Sequence, residues 1–146
     1  SFFPFYGAEK RGGIARASVI VSSKEIASPL VTTPDSAIVM NMDSLPLCEE
    51  NLKPNGIMLV NSSLVKTSPK RKDVKVVNIP CNEIAESIGD VKFANMVMFG
   101  ALAKATGALK LDKLEEVLVS FFGEGKSKFV PLNMQAIEEG KKAVAV

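Results

Sequence analysis

Four short apolar runs most constrain how this 146-residue chain can fold. They cover residues 17–21, 37–40, 57–60 and 74–79, and each is rich in Val, Ile or other apolar side chains. Residues 37–40 are apolar at every position, which is typical of a strand covered on both faces of a sheet. We therefore expect a mostly parallel or mixed sheet that is covered by further layers.

Helical patterns dominate the later part of the chain. A short predicted helix covers residues 45–52, and others cover residues 82–88, 91–106, 113–122 and 133–143. Strand runs followed by helices indicate an α/β domain. The predicted fold class is a three-layer α/β/α arrangement, Rossmann-like, with a mostly parallel or mixed sheet and a helical C-terminal third. We expect a single domain over residues 1–146.

The sequence also predicts how one of these helices packs and where another begins. The small residues Gly100 and Ala101 would let one helix lie close on a sheet or on a neighbouring helix. Asp112, followed three residues later by Glu115, has the spacing of a capping box and predicts the start of helix 113–122. The inward face of that helix is predicted to consist of Leu114, Val117, Leu118 and Phe121.

Composition argues against several classes of function. The formal charge of +2 is too small to indicate a nucleic-acid partner, and no run approaches the roughly 18 apolar residues of a membrane span. We expect neither partner, and a cytoplasmic location. The basic segment 66–75 is predicted to be a solvated loop. With no histidine and only Cys48 and Cys81, the chain is expected to bind no metal and to run no redox chemistry alone.

A charged loop near the N-terminus is the first candidate binding site. Gly12-Gly13 lets the backbone take unusual angles and lets a ligand approach without meeting a Cβ atom. Arg11 and Arg16 flank that pair, and arginine suits carboxylate or phosphate groups. The pattern indicates anion binding. The alternative is a simple turn in which Glu9 and Arg11 form a solvated ion pair.

Polar residues follow two of the predicted strands. Asn41 comes directly after residues 37–40, and Asn61-Ser62-Ser63 follows residues 57–60. Because ligands of open α/β sheets gather at the carboxyl ends of strands, Asn41 is a second candidate binding residue. The alternative is that Asn41 or Asp43 caps the next helix.

The segments around this loop resemble a known family. Tyr6-Gly7-x-Glu9-x-Arg11-Gly12-Gly13 is followed by a strand at 17–22, by Ile26-x-Ser28-Pro29-x-Val31, and by Pro34-Asp35 before a strand that ends at Asn41. This order is similar to the gamma subunit of the 2-oxoacid:ferredoxin oxidoreductases, in the branch where gamma is a separate short chain. Weaker similarity continues through Gly100-Ala101-Leu102 and Thr106-Gly107.

The sequence departs from the family pattern at two points. Ala8 stands where the family commonly has Pro, which removes one conformational restriction from the loop. The family usually begins with a strand and a G-x-G-G-Q-G-like turn, and neither precedes Ser1. The comparison therefore implies a domain that lacks its first strand and helix.

The resemblance implies a subunit that is inactive alone. Enzymes of this family convert a 2-oxoacid and coenzyme A into acyl-CoA and CO2 while reducing ferredoxin. It implies that thiamine diphosphate, Mg and [4Fe-4S] clusters lie on partner subunits, and that this chain binds no cofactor. The partners would be alpha and beta subunits, a delta subunit where the complex has one, and ferredoxin.

The resemblance also implies a role for the charged loop. We expect Glu9, Arg11, Gly12 and Gly13 to help bind coenzyme A beside the active site, with Arg16 and Asn41 as further candidates. The Gly12-Gly13 pair and the segment over residues 26–31 resemble the 2-oxoglutarate or branched-chain type more than the pyruvate type, which favours 2-oxoglutarate. The alternatives are a free-standing Rossmann-like module that binds coenzyme A or a nucleotide, and a purely structural subunit.

Overall fold

The computed structural model describes residues 2–5 and 14–145. Its five strands are β1 Phe2–Phe5, β2 Arg16–Val19, β3 Ser36–Val39, β4 Ile57–Asn61 and β5 Lys75–Ile79. Its α-helices are α1 Leu45–Asn51, α2 Cys81–Ile88, α3 Ala94–Thr106, α4 Leu114–Phe122 and α5 Val130–Ala143. Short 3-10 helices cover Met42–Ser44, Val91–Phe93 and Glu124–Phe129. The predicted α/β class, with a helical C-terminal third, is confirmed in the described part of the chain.

The centre of the domain is a parallel sheet in the order β3-β4-β5. Strand β4 lies between the other two and is buried on both faces. Met58 and Val60 pack with Leu45 and Leu52 on one face, while Leu59 packs with residues of α2, α3 and α5 on the other. Because successive side chains of a strand point to opposite faces, one apolar run supplies two separate cores. The three-layer prediction is therefore correct.

The first predicted strand occupies a different environment from the one expected. Among the described strands, β2 pairs with β1 alone, antiparallel, in a two-stranded ribbon that is separate from the parallel sheet. Val19 is 64% exposed and Val21 is 67% exposed, so the prediction of a buried strand at residues 17–21 was wrong. Apolar composition indicated burial, but no described layer covers this ribbon.

Helix α4 also differs from its prediction. It begins at Leu114 with Lys113 at the N-cap, and no side chain caps it, so the Asp112 to Glu115 capping box does not form. The N-cap is Lys113, one position after the predicted cap Asp112. The Asp112 side chain is therefore one residue too early to cap the helix. Of the predicted inward face, only Leu118 is buried, while Val117 is 59% and Phe121 is 77% exposed.

Helices α3 and α5 cross with their backbones in close contact, so of the two partners predicted for the small residues, a sheet or a helix, the helix is the one present. A Cβ atom added at Gly100 would lie 2.0 Å from the carbonyl oxygen of Ile137, and one added at Gly140 would lie 1.8 Å from that of Val97. Neither position has room for a side chain. This crossing fixes the helical layer against the sheet face that contains Leu59.

Candidate functional site

The predicted site residues divide between described and undescribed segments. Glu9, Arg11, Gly12 and Gly13 lie outside the described residues, so their role stays a prediction. Arg16 begins strand β2, and Asn41 directly precedes the 3-10 helix Met42–Ser44. The two described candidates therefore belong to different strands: Arg16 is the first residue of β2, and Asn41 lies two residues after the end of β3.

Arg16 lies on the wall of a groove of about 650 Å³. The groove runs between the β1-β2 ribbon and β3, the edge strand of the parallel sheet, and is also lined by loop residues 30–32 and by helix α1. Its wall combines apolar side chains such as Leu30 and Ile38 with the hydroxyl groups of Ser18 and Ser36. A guanidinium beside a largely apolar cleft suits an elongated ligand that has an anionic end and a less polar body.

Cys48 lines the same groove, on helix α1. Its thiol donates a weak hydrogen bond to the carbonyl oxygen of Ile38, with a sulfur to oxygen distance of 3.9 Å. Burial raises the pKa of the Cys48 thiol, and the positive charge of Arg16 partly offsets that rise. The electrostatic influence of Arg16 therefore reaches the part of the groove where Cys48 lies.

Asn41 caps the helix that follows it. Its side-chain oxygen Oδ1 accepts hydrogen bonds from the Ser44 backbone N–H at 3.1 Å and from Ser44 Oγ at 2.7 Å. The capping alternative is thus present in the structure. Asn41 remains exposed, and its role in ligand binding stays a prediction.

The polar residues after β4 form a buried network around Asn61. The Asn61 side chain is completely buried, and its Oδ1 accepts hydrogen bonds from the backbone N–H groups of Ser63 at 3.2 Å and Cys81 at 3.3 Å. Its Nδ2 donates to Oδ1 of Asn82 at 3.0 Å and to the carbonyl oxygen of Met40 at 3.4 Å. Asn61 therefore joins the end of β3, the end of β4 and the start of α2.

Ser63 and Glu83 extend this network to the surface. Ser63 Oγ accepts a hydrogen bond from the backbone N–H of Asn82 at 3.0 Å and donates one to the Glu83 carboxylate. The hydrogen bond from Ser63 lowers the pKa of Glu83 below its ordinary value, helped by its own backbone N–H and by Lys66. Helix α2 has no side-chain cap of its own, so residues after β4 supply its first N–H groups with acceptors.

Sequence reasoning identified the polar strand end but missed its partners. Asn82 and Glu83 follow Pro80 at the start of α2, and only the parallel pairing of β4 with β5 brings them beside Asn61. One feature of the sequence could have identified these partners. A strand that ends in polar residues can cap a helix that begins without a capping side chain of its own. Because the polar groups of Asn61, Ser63, Asn82 and Glu83 hydrogen-bond to one another, they stabilise the carboxyl end of the sheet rather than offering free donors to a ligand.

The basic segment is more structured than predicted. Arg71 Nη1 donates to the carbonyl oxygens of Glu49, at 2.9 Å, and Leu52, and its Nε donates to Asp73 Oδ1 at 2.8 Å. It thereby satisfies the C-terminal end of α1, while the neighbouring Lys70 and Lys72 are exposed as expected. Arg71 is committed to these contacts, which argues against a phosphate-binding role.

Metal-ligating side chains do not cluster in residues 14–145. No three His, Cys, Asp or Glu side chains there come together as a metal site, and both cysteines are free. Within the same residues, no helix has the length and apolar character needed to cross a membrane.

Comparisons with known proteins identify the family of this chain. The family profile for pyruvate ferredoxin/flavodoxin oxidoreductase matches residues 1–143. The chain is 33% identical to the ketoisovalerate oxidoreductase subunit VorA of Methanothermobacter thermautotrophicus, over 96% of this chain but 29% of that relative. It is 32% identical to the 2-oxoglutarate synthase subunit KorC of the same organism, over 95% of this chain and 75% of KorC.

A solved structure supports the same assignment. The gamma subunit of a keto/oxoacid ferredoxin oxidoreductase from Geobacter sulfurreducens has a TM-score of 0.78 and 27% identity, over 98% of this chain and 78% of that one. The chain thus spans less than a third of the VorA relative and about three quarters of KorC and of the Geobacter sulfurreducens subunit. Since the family profile matches nearly its whole length, this chain belongs to the pyruvate ferredoxin/flavodoxin oxidoreductase family.

Proposed function

We propose that this chain is the gamma-type part of a 2-oxoacid:ferredoxin oxidoreductase and is inactive alone. The observation that carries the proposal is the match over residues 1–143, together with a fold similar to a separate gamma subunit. The complex would oxidatively decarboxylate a 2-oxoacid to acyl-CoA and CO2 in the cytoplasm and pass the electrons to ferredoxin. Alpha and beta subunits, with a delta subunit where one is present, would complete the enzyme.

The redox cofactors of such a complex do not suit this chain's own residues. An iron–sulfur cluster takes four thiolate ligands in its common form, and this chain has two cysteines. One of them, Cys81, is completely buried, and burial raises the pKa of its thiol to about 12. We therefore assign the [4Fe-4S] clusters to partner subunits, and on the family resemblance we assign thiamine diphosphate and Mg to them as well.

For this chain we propose a share of the coenzyme A site. The groove beside Arg16 has the size of a small-molecule site, a cationic group and largely apolar walls. Coenzyme A has phosphate groups at one end and a less polar pantetheine arm, so Arg16 would pair with a phosphate while the arm lies along the groove. Arg11, Gly12 and Gly13 would add donors to the same anionic end, and Glu9 would orient Arg11.

Among 2-oxoacids we favour 2-oxoglutarate. The support is the similarity to KorC, a 2-oxoglutarate synthase subunit that the chain matches over most of the length of both proteins. A panel of 2-oxoacids, assayed on the reconstituted complex with a viologen acceptor, tests this choice. A higher kcat/KM for pyruvate or a branched-chain 2-oxoacid would contradict it.

The coenzyme A proposal is tested by titrating coenzyme A against the same complex. We expect Arg11→Ala and Arg16→Ala each to raise the half-saturating concentration about tenfold or more, because each removes a charge-assisted hydrogen bond worth about 1.5 to 3 kcal/mol. Lys24→Ala removes an exposed charge from the adjoining segment and is the control. Unchanged saturation in an intact complex would show that the charged loop is structural.

A second readout does not depend on turnover. Cys48 lines the groove whereas Cys81 is completely buried, so a maleimide at mildly alkaline pH should modify Cys48 alone. We expect coenzyme A to slow that modification in the complex. Protection in the isolated chain, with no effect of partner subunits, would instead favour the free-standing module, and no protection in either form would favour the structural subunit.

A further inference from the structure

Helix α4 is far more apolar than its burial explains. Six of its nine residues are apolar, yet Leu118 is the only one that is buried. Val117, Val119 and Phe121 are 59%, 47% and 77% exposed. A helix that is apolar around most of its circumference is normally covered on more than one side, and exposed apolar patches mark interaction surfaces.

A hollow of about 480 Å³ adjoins the exposed end of this helix. We call it the aromatic hollow, and its apolar wall consists of Phe93, Met96, Phe121, Phe122, Phe129 and Leu132. The rings of Phe121 and Phe122 meet edge to face, with centroids 5.3 Å apart. Such a wall offers both ring faces and ring edges to an aromatic guest.

Asn133 gives the aromatic hollow a specific polar contact. It lines the hollow, is only 5% exposed, and its Nδ2 donates to the carbonyl oxygen of Phe129 at 2.7 Å. Among the described residues its Oδ1 accepts no hydrogen bond, and no buried side-chain polar atom there lacks a partner. Oδ1 is therefore not fully enclosed, and because Asn133 lines the hollow, we infer that a guest there would donate to it.

Two lysines and one aspartate lie at the hollow or beside it: Lys92 and Asp90 line it, and Lys128 adjoins Phe129. Lys128 Nζ lies 5.2 Å from the centroid of the Phe129 ring, and within the described residues Lys128 forms no ion pair. Lys92 is 84% exposed and lies 3.8 Å from the Asp90 carboxylate, which also accepts the Lys92 backbone N–H at 2.9 Å. Asp90 is thus already engaged, and Lys128 is available to a carboxylate on an incoming partner.

We propose that the aromatic hollow binds a Trp or Tyr side chain of a partner subunit, within a segment that carries a carboxylate next to that residue. The aromatic body fills the apolar wall, its N–H or O–H donates to Asn133 Oδ1, and the carboxylate pairs with Lys128. Buried Trp and Tyr anchors that keep one hydrogen bond are typical of interface hot spots. The inference rests on the proposed function, because it needs a multi-subunit complex.

The chemistry disfavours a second copy of this chain as the occupant. The chain has no Trp and one Tyr, Tyr6. The residues that follow Tyr6 include one acidic residue, Glu9, against two basic ones, Lys10 and Arg11, which is the wrong sign of charge for Lys128. Another subunit is therefore the better match.

Photocrosslinking in the assembled complex tests the occupant directly. Phe121 is replaced by p-benzoylphenylalanine, the complex is irradiated, and the crosslinked peptide is identified by mass spectrometry. We expect a peptide of a partner subunit that contains Trp or Tyr beside Asp or Glu. A crosslink to a second copy of this chain, to a peptide without Trp or Tyr, or to no protein at all overturns the proposal.

Assembly measurements provide the matched control. Phe121→Asp should weaken incorporation of the chain into the complex at least tenfold, and Lys128→Glu should weaken it several-fold, both with a wild-type melting temperature. Leu64→Asp alters another exposed apolar residue, 49% exposed, outside the hollow and should have no effect. Wild-type incorporation of Phe121→Asp overturns the proposal. A negative result in these assembly measurements would not affect the coenzyme A titration, because the groove that contains Arg16 and the aromatic hollow share no lining residues.

Discussion

The crossing of α3 and α5 leads to a stability prediction that the geometry makes quantitative. We expect Gly100→Ala and Gly140→Ala each to destabilise the domain strongly, although alanine favours helices more than glycine does. The added methyl group would lie 2.0 Å from the carbonyl oxygen of Ile137 in one case and 1.8 Å from that of Val97 in the other. Both obstacles are backbone atoms, so no side-chain rotation relieves the clash.

The size of the effect follows from the distance the helices must move. To reach a tolerable contact of about 3.2 Å, the two helix backbones must separate by about an ångström, which opens the packing of a well-filled core. Overpacking of this kind costs about 1 to 3 kcal/mol and occasionally more, whereas the gain in helix propensity is about 1 kcal/mol. Because the obstacle is backbone, we take the upper end and expect a net loss of about 2 kcal/mol, or about 4 to 8 °C in Tm.

Urea unfolding followed by circular dichroism measures this loss. Gly125→Ala is the matched control, because Gly125 lies in the 3-10 helix Glu124–Phe129 and a Cβ atom there meets nothing within 4 Å. We expect the control to stay within about 0.5 kcal/mol of the wild type. The double variant should lose less than the sum of the single losses, since one displacement relieves both contacts. A Gly100→Ala variant as stable as the control would refute the reasoning.

Three further predictions concern the buried network and the thiols. Asn61→Ala should lower the free energy of unfolding by about 2 to 4 kcal/mol, because the Ser63 and Cys81 N–H groups lose their acceptor, and a loss below 1 kcal/mol in urea unfolding would contradict this. In native protein at pH 8, a thiol reagent should modify Cys48 only, since Cys81 is buried and its thiol pKa is raised to about 12; two rapidly reacting thiols, counted spectroscopically, would show that the fold opens. The Glu83 carboxylate has a lowered pKa in the folded state, so its stabilising effect is present above its unfolded pKa and disappears as the pH falls through the folded value. Glu83→Gln should therefore flatten the acid side of a plot of Tm against pH. An unchanged profile would show that the Ser63 contact does not lower the pKa of Glu83 in the folded state.

Elements whose apolar residues are covered within the described chain were predictable from local composition. Strand β4 and its flanking turns match the prediction for residues 57–60 almost to the residue. The predicted helix over residues 91–106 was also correct in place, although it begins as the 3-10 helix Val91–Phe93 before α3. Asp90 explains that start, because its side chain accepts the Lys92 N–H.

Predictions failed where apolar residues are not covered within the described chain. Residues 17–21 and the Val117 to Phe121 face of α4 have the composition of buried elements, yet both are exposed. Apolar composition predicts that a surface is buried, but it does not show whether that surface packs against the same chain or against another molecule. In the proposed complex, part of this apolar surface would lie at subunit interfaces, and sequence patterns do not distinguish an interface from the chain's own core.

The sequence by itself determined the family, the α/β class and the close packing at Gly100, because local residue types and their order carry those signals. Tertiary structure alone decided that Asn61 meets Asn82 and Cys81, that Arg16 shares a groove with Cys48, and that Asn133 lines an aromatic hollow. Each of these sites joins residues at least 20 positions apart, so each depends on strand pairing and helix crossing rather than on local pattern. The physical reason is that a contact between distant residues is fixed by how the layers pack, and packing is a property of the whole fold.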